Sequence, residues 1–347
     1  MTSKPFVLAH PGDHYACGRY RVTYPLNALI QSGRVEGVSS DFFLDNETLL
    51  ALRPDVVVFQ RVLEHDQIAA IKRYRNALPH ARLIIDIDDL IGEIPSTNCY
   101  RKGFHKDAVD RFKKAASLCD RVVTSTEFLK NEYGKFAPES TVCQNRLPDD
   151  PWASLTSTHS PNHKPRVGWA GSGGHLGDLR IIIPAIRATW QEIDWVFLGP
   201  VPESIRKMAA EYYPLVPIDQ YPAKLASLNL DLAVAPLEIS RYNHAKSALR
   251  ILELGACGYP VLCSFGPAAF DIDLPVYRVE NTPEDWISAV RRLTSGLYPL
   301  PASTLRHAIH EKYLLSKGLD DWFNAWCCPL PACDVSRNTT YSATVLS

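Results

Sequence analysis

The stretch Asn243–Ser264, NHAKSALRILELGACGYPVLCS, decides how the rest of the chain is read. It opens polar, and Leu249, Ile251, Leu252 and Ala256 then supply an apolar face at helical spacing. Gly258-Tyr259-Pro260 stops that helix, and Pro260–Ser264 reads as a short buried strand. Just upstream, LDLAVAPL (230–237) is a strand that leads out to Glu238. Strand, polar loop, helix and strand together form the unit of a parallel sheet covered by helices. The spacing predicts a helix over 246–257 with Ser247 as its N-cap. Lys246 at that end opposes the helix dipole, which makes sense when an anion lies between them. Glu253 stands about a turn and a half further in and can face the same cleft. A carboxylate there can accept two hydroxyls, as a ribose clamp does; a salt-bridged helix residue is the other reading.

Working outward, the same alternation covers most of the 347 residues. Strands are expected at 5–10, 39–44, 55–60, 82–87, 121–126 and 140–145, with helices at 19–32, 65–78, 106–118 and 126–135. The segment 147–165 is rich in Pro, Ser, Thr, Asn and Asp, has no periodicity and reads as a linker. Beyond it, strands are expected at 166–171, 194–199, 215–219, 230–237, 260–264 and 275–279. Helices are expected at 175–190, 203–212, 222–228, 246–257, 283–294 and across 302–326. The organisation is therefore an α/β unit over 1–150, a linker at 151–165 and a second α/β unit over 166–300. Helices at 301–326 are expected to pack back on the first unit, and 327–347 is expected to be a disordered tail. Open α/β sheets bind ligands at the carboxyl ends of their strands, so two such units would share one cleft.

Composition narrows the partners. Lys+Arg number 37 and Asp+Glu 38, a net charge of -1 without a global nucleic-acid signature. No apolar run reaches the ~18 residues of a membrane helix, and MTSKPFVLAHPGDHY carries no signal-peptide pattern. A short amphipathic face would not show in composition, so peripheral membrane attachment stays open. Of the nine cysteines, Cys17, Cys99, Cys119, Cys143, Cys257 and Cys263 share no metal-ligand spacing and read as reduced thiols of a cytoplasmic protein, while Cys327, Cys328 and Cys333 in the tail suggest zinc but have no His or Cys pair nearby to complete a site.

The second unit opens with VGWAGSGGHLGDL (167–179), a strand running into Gly171-Ser172-Gly173-Gly174 and then a helix. Glycines let backbone approach an anion, and the following helix start offers unpaired N–H groups, which suits a phosphate. The spacing matches neither GxGxxG nor a Walker A loop. His175 either contacts the phosphate or starts the helix. Asp178 falls in the first turn, where a carboxylate is favoured anyway. In DIDD (86–89), paired carboxylates after an apolar strand could grip a divalent cation. A metal-free role at the cleft wall is expected instead, with Asp88 or Asp89 touching an acceptor or orienting a loop. His10 and His14 follow the first strand and read as plain loop histidines, with a base or a sugar-hydroxyl partner as the other readings.

The residues from 243 to 264 resemble the nucleotide-sugar segment of retaining glycosyltransferases with the GT-B fold, the glycosyl transferases group 1 or family 4 type. There a Glu is followed, after seven residues, by a second Glu and A-x-G-x-P-V. Glu253, Ala256, Gly258, Pro260 and Val261 match the second half, while Ala245 stands at the first Glu. One branch of the group reads F-N-x-x-K-S-x-L-K-x-L-E, and Tyr242-Asn243, Lys246-Ser247, Leu249-Arg250 and Leu252-Glu253 match it. GWAGSGGHLGDL resembles the donor-phosphate loop, CGRYRVTYPLNAL (17–29) the glycine loop and first helix of the acceptor side.

The resemblance implies a two-domain GT-B enzyme that moves a sugar from a nucleoside diphosphate sugar to an acceptor hydroxyl, retaining and without metal or other cofactor. It implies that Gly171, Ser172, Gly173, Asn243, Lys246, Ser247 and Glu253 bind the donor. Lys246, Glu253 and His175 would be the catalytic set. Gly18, Arg21, Asp88 and Asp89 would face the acceptor, a glycan, lipid-linked glycan or other hydroxyl compound, as in surface polysaccharide biosynthesis. Two alternatives remain open. One is a dinucleotide oxidoreductase, which lacks its GxGxxG. The other is a non-catalytic descendant, which the Ala245 departure favours.

Overall fold

The computed structural model describes residues 4–157 and 164–328. The middle of the expected linker and most of the expected tail lie outside these residues. Two six-stranded sheets organise the chain, and every strand pair in them is parallel. The first contains β1 (Phe6–His10), β2 (Glu36–Ser39), β3 (Val56–Gln60), β4 (Arg82–Ile87), β5 (Arg121–Thr124) and β6 (Glu139–Val142), in the order β2-β1-β3-β4-β5-β6. The second contains β7 (Arg166–Ala170), β8 (Asp194–Leu198), β9 (Glu211–Tyr213), β10 (Leu232–Ala235), β11 (Val261–Ser264) and β12 (Tyr277–Val279), in the order β12-β11-β10-β7-β8-β9.

Central strands such as VVVFQ and RLIIDI are buried almost throughout, as expected when helices cover both faces. Apolar clusters lie on each side of each sheet. Strand order reverses between β1 and β3 in the first sheet and between β7 and β10 in the second. At such a switch point the two flanking loops diverge and leave a crevice at the carboxyl edge. The loops after β7 and β10, residues 171–175 and 236–248, flank the second crevice.

Two edge strands fall elsewhere than expected. The first edge strand is Glu36–Ser39, not 39–44, because Phe43 leaves the sheet and stacks on His10 with ring centroids 4.9 Å apart. The other edge is Glu211–Tyr213, not 215–219, where Pro214 and Pro217 remove two ladder donors. Around the junction, Leu147 pairs with the 313–315 segment through two backbone hydrogen bonds, and Trp152 is buried in the second half's core. The helix Ala302–Lys312 packs on helix Leu249–Ala256 through Leu305 and Ile309, which crowd Gly255. The chain returns to the first sheet from Leu315 onward: Leu315 and, in helix Leu319–Cys327, Trp322 and Trp326 join Val7, Val58, Ile84 and Val123.

Candidate functional site

β7 ends in a loop shaped by close approaches. A Cβ on Gly171 would meet the Trp169 ring at 2.4 Å, and Gly199, at φ 109°, lies against the Gly171 carbonyl. Ser172 is extended and its Oγ accepts from the Gly174 N–H at 3.4 Å. A single tight turn, Gly173–His175, leads into the helix Leu176–Thr189. The loop thus presents backbone at a helix N-terminus, the arrangement that favours phosphate. Residues of the first half cover it: Cys99 N–H donates to the Gly173 carbonyl, and a Cβ on Gly173 would meet Cys99 Sγ at 2.3 Å.

Asp178, read from sequence only as a first-turn carboxylate, is the hub of this region and is buried. Its Oδ2 accepts from His175 Nδ1 at 2.8 Å. Its Oδ1 accepts from the Glu238 N–H at 2.8 Å and from Asn243 Nδ2 at 3.0 Å. Asn243 also donates to the Glu238 carbonyl at 3.0 Å. One carboxylate therefore ties the glycine loop to the loop after β10. Burial, with Arg250 and Lys246 nearby, outweighs the Asp178 bond and lowers the His175 pKa. With Nδ1–H held by Asp178, the neutral ring keeps Nε2 as an acceptor.

The helix of the opening stretch spans Leu249–Ala256, shorter than expected, and its cap is Ala248. Ser247 is not the N-cap: its Oγ accepts from Asn145 Nδ2 at 2.9 Å, a bond across the two halves. Lys246 bonds Asp89 Oδ1 at 2.9 Å and stands 4.5 Å from the Tyr242 ring centroid. Burial disfavours its charge, but Asp89 and Tyr242 more than offset this, and its pKa is raised. Glu253 is only 5% exposed. Its oxygens accept from Tyr20 at 3.1 Å and Tyr221 at 3.2 Å, so two protein hydroxyls stand where a ribose pair was expected. Burial raises its pKa against the opposing Arg250, Tyr20 and Tyr221.

On the first half, the structure corrects one expectation outright. Arg21 does not face the cleft; it is fully buried and forms a two-bond pair with Asp86 at 2.9 and 2.6 Å. It also donates to the Cys143 carbonyl and to Asn145 Oδ1, and stacks on Trp322 at 4.7 Å. A guanidinium this far from water needs such partners, and four of its five N–H donors are committed to them inside the protein. Gly18 is buried because its backbone crosses the Asp13 carbonyl, 1.8 Å from where a Cβ would stand. Asp89 reaches the cleft through Lys246, and Asp88 Oδ1 has no hydrogen-bond partner among the described residues. Cys17, Asp88 and Asp89 bring ligand-type atoms within 4.8 Å of one another. The charges of Lys246 and Arg61 already act on those carboxylates, which leaves little uncompensated negative charge for a divalent cation. His10 is a core residue whose Nδ1 donates to the Ser40 carbonyl (2.8 Å) and whose ring stacks on Phe43 and Phe59. His14 is an exposed loop residue.

Sequence reasoning missed Asp178 as a hub, Tyr20, Tyr221 and Arg250. Only Arg250 had a local signal, its match to the Leu-Lys/Arg step of the motif branch.

No protein-family model matches the sequence, and no curated protein matches it. Solved structures do. A glycosyltransferase from Rickettsia africae is similar at 11% identity and TM-score 0.64, over 94% of this chain and 99% of that one. The catalytic domain of starch synthase IV from Arabidopsis thaliana, bound to ADP and acarbose, follows at 12% and 0.62, over 93% and 99%. Anabaena HepE in complex with UDP and glucose is similar at 11% and 0.58, over 91% and 98%. The chain has the GT-B fold, the two-sheet architecture of these glycosyltransferases.

Proposed function

We propose that the protein is a glycosyltransferase that moves a sugar from a nucleoside diphosphate sugar to an acceptor hydroxyl. The observation that carries this is the convergence of Gly171–His175 and Lys246–Glu253 at the switch point of the second sheet in a GT-B fold. Neighbours bound to UDP and to ADP support a nucleoside diphosphate as the leaving group. The glycine loop and Lys246 receive the diphosphate, Glu253 the ribose, and Asn243 and Ser247 shape the loop between them. The acceptor oxygen bonds to the anomeric carbon while the bond from that carbon to the diphosphate oxygen breaks. The electron pair goes to the departing phosphate, which takes the acceptor's proton on the same face, so the configuration is retained. Lys246 and the loop N–H groups stabilise the charge that develops there. His175 Nε2 accepts from a sugar hydroxyl. Residues of the first half near Asp88 and Asp89 form the acceptor side, and neither metal nor cofactor takes part. No helix among the described residues is long and apolar enough to cross a membrane. The proposed setting is glycan or surface polysaccharide assembly in the cytoplasm, including at the inner membrane face.

A second reading, a nucleotide-sugar or glycan-binding descendant without turnover, is favoured by one observation. Lys246 and Glu253 both already have protein partners drawn from the first half. Thermal melting with UDP, GDP, ADP, CMP, dTDP and NAD tests the proposal, because a ligand selective for the folded state raises Tm. One nucleoside diphosphate should stabilise the protein, and Glu253→Ala and Lys246→Ala should each remove the shift. A shift with NAD alone would sink it. Turnover then separates the readings: donor hydrolysis without acceptor argues for the enzyme, tight donor binding with no chemistry for the descendant.

A further inference from the structure

Arg250 brings a buried donor without a partner to this site. It lies on the first turn of helix Leu249–Ala256, one helical turn before Glu253, and its Nε stands 3.9 Å from Glu253 Oε2, beyond hydrogen-bonding distance. Its Nη1 is inaccessible to solvent and has no hydrogen-bond partner among the described residues. A buried, charged N–H without a partner is costly and calls for an acceptor. Lys246, by contrast, is held by Asp89 at 2.9 Å. Arg180, which follows the glycine loop in sequence, is exposed.

The neighbours of Arg250 define where that acceptor would stand. Glu253 stands 3.9 Å away, Tyr221 interacts with the guanidinium, and the Arg250 charge acts on His175 of the glycine loop. Three residues of helix span about 4.5 Å along the axis. Arg250 and Glu253 thus stand one turn apart on the same helix, and Lys246 lies in the segment just before it, so the three follow one another in the chain from the diphosphate side to the ribose side of the proposed donor site. A planar guanidinium fork suits a phosphate that bridges two groups better than an ammonium does.

We infer that Arg250 is a donor-binding residue that takes the phosphate next to the ribose, leaving the outer phosphate to Lys246. The inference rests on the donor-site reading above. Binding would exchange the distant Glu253 contact for phosphate oxygens and leave the Glu253 carboxylate to the ribose.

The test is titration of the wild type and variants with uridine, UMP and UDP, and with the same three forms of guanosine, adenosine, cytidine and thymidine. For whichever base binds, Arg250→Gln should weaken both monophosphate and diphosphate by about 10- to 100-fold and leave the nucleoside within twofold. Lys246→Ala should weaken the diphosphate more than the monophosphate. Arg250→Lys, which keeps the charge without the fork, should recover part of the loss and guards against a folding defect. Arg250→Gln binding both phosphates as the wild type does would overturn the inference while leaving the donor site standing. Equal loss of nucleoside and phosphate forms in both Arg250 variants would also overturn it, because the role would then be structural. Wild type that binds no nucleoside phosphate would remove the donor-site reading and this inference together.

Discussion

His10 shows how a residue that sequence places beside a cleft can belong to the core. It ends β1, stacks on Phe43 and Phe59, and bonds the Ser40 carbonyl. Burial lowers its pKa to about 4, against the opposing Ser40 bond and Asp41. The unfolded chain, with a value near 6.5, binds the proton first, so the contribution is whole above that pH and lost as pH falls through 4. Unfolding free energy should fall by about 2 kcal/mol between pH 7.5 and 5 from this group. Urea titrations at the two pH values measure it, and His10→Phe should flatten the slope; an unchanged slope would show that the ring is accessible to protons. Tyr20 is the second residue whose environment matters more than its type. It donates to Glu253 across 233 positions of sequence from within a π-helical turn, Arg19–Thr23. If the ribose displaces that hydroxyl, Tyr20→Phe should destabilise the free protein by about 1–3 kcal/mol. It should also tighten nucleoside diphosphate binding by up to about tenfold. Calorimetric titration reads the affinity; weaker binding would mean that Tyr20 helps the donor rather than competing with it.

At the scale of elements, central strands and edge strands behave differently. β3 and β4 are buried on both faces, so their apolar runs alone mark them. The edge strands β2 and β9 carry mixed residues, and their pairing is imposed by β1 and β8. An apolar run such as Phe42–Leu44 can therefore be loop while the polar run before it is strand. Helix Leu319–Cys327 makes the same point. Its Trp322 is fully buried on the first sheet although the helix follows the second in sequence. Trp322→Ala should cost about 3–5 kcal/mol, because it opens a cavity and strips the ring from Arg21. Denaturant unfolding measures this; a loss below about 1 kcal/mol would mean that the helix is an appendage.

Across the whole molecule, the two halves share residues. Tyr20 packs within the second half's core, while Tyr242 and Ala245 pack within a core of the first. Arg19–Asp219, Lys246–Asp89, Arg241–Glu93 and Arg241–Glu132 are ion pairs between the halves. Thr126 and Asn145 add hydrogen bonds to Ala245 and Ser247. Lys246 and Glu253 take part in this junction, so under the proposed donor-site reading a bound donor would replace contacts between the halves. Under that reading, such exchange would couple binding to movement of the halves, as in domain closure around a substrate.

The sequence by itself determined what depends on near neighbours. Alternating strands and helices, the glycine loop before a helix, and the Lys246–Val261 pattern are local, and the two-sheet fold follows from them. Only the tertiary structure decided which distant residue faces which. Arg21 was expected at the cleft, but β4 carries Asp86 beside it and the pair closes in the interior. Asp178 was a helix-start carboxylate until the strand order set β10 beside β7 and brought Asn243 and Glu238 onto it. Long-range partners are chosen by sheet order and crossover packing, and a single chain read residue by residue carries no record of those distances.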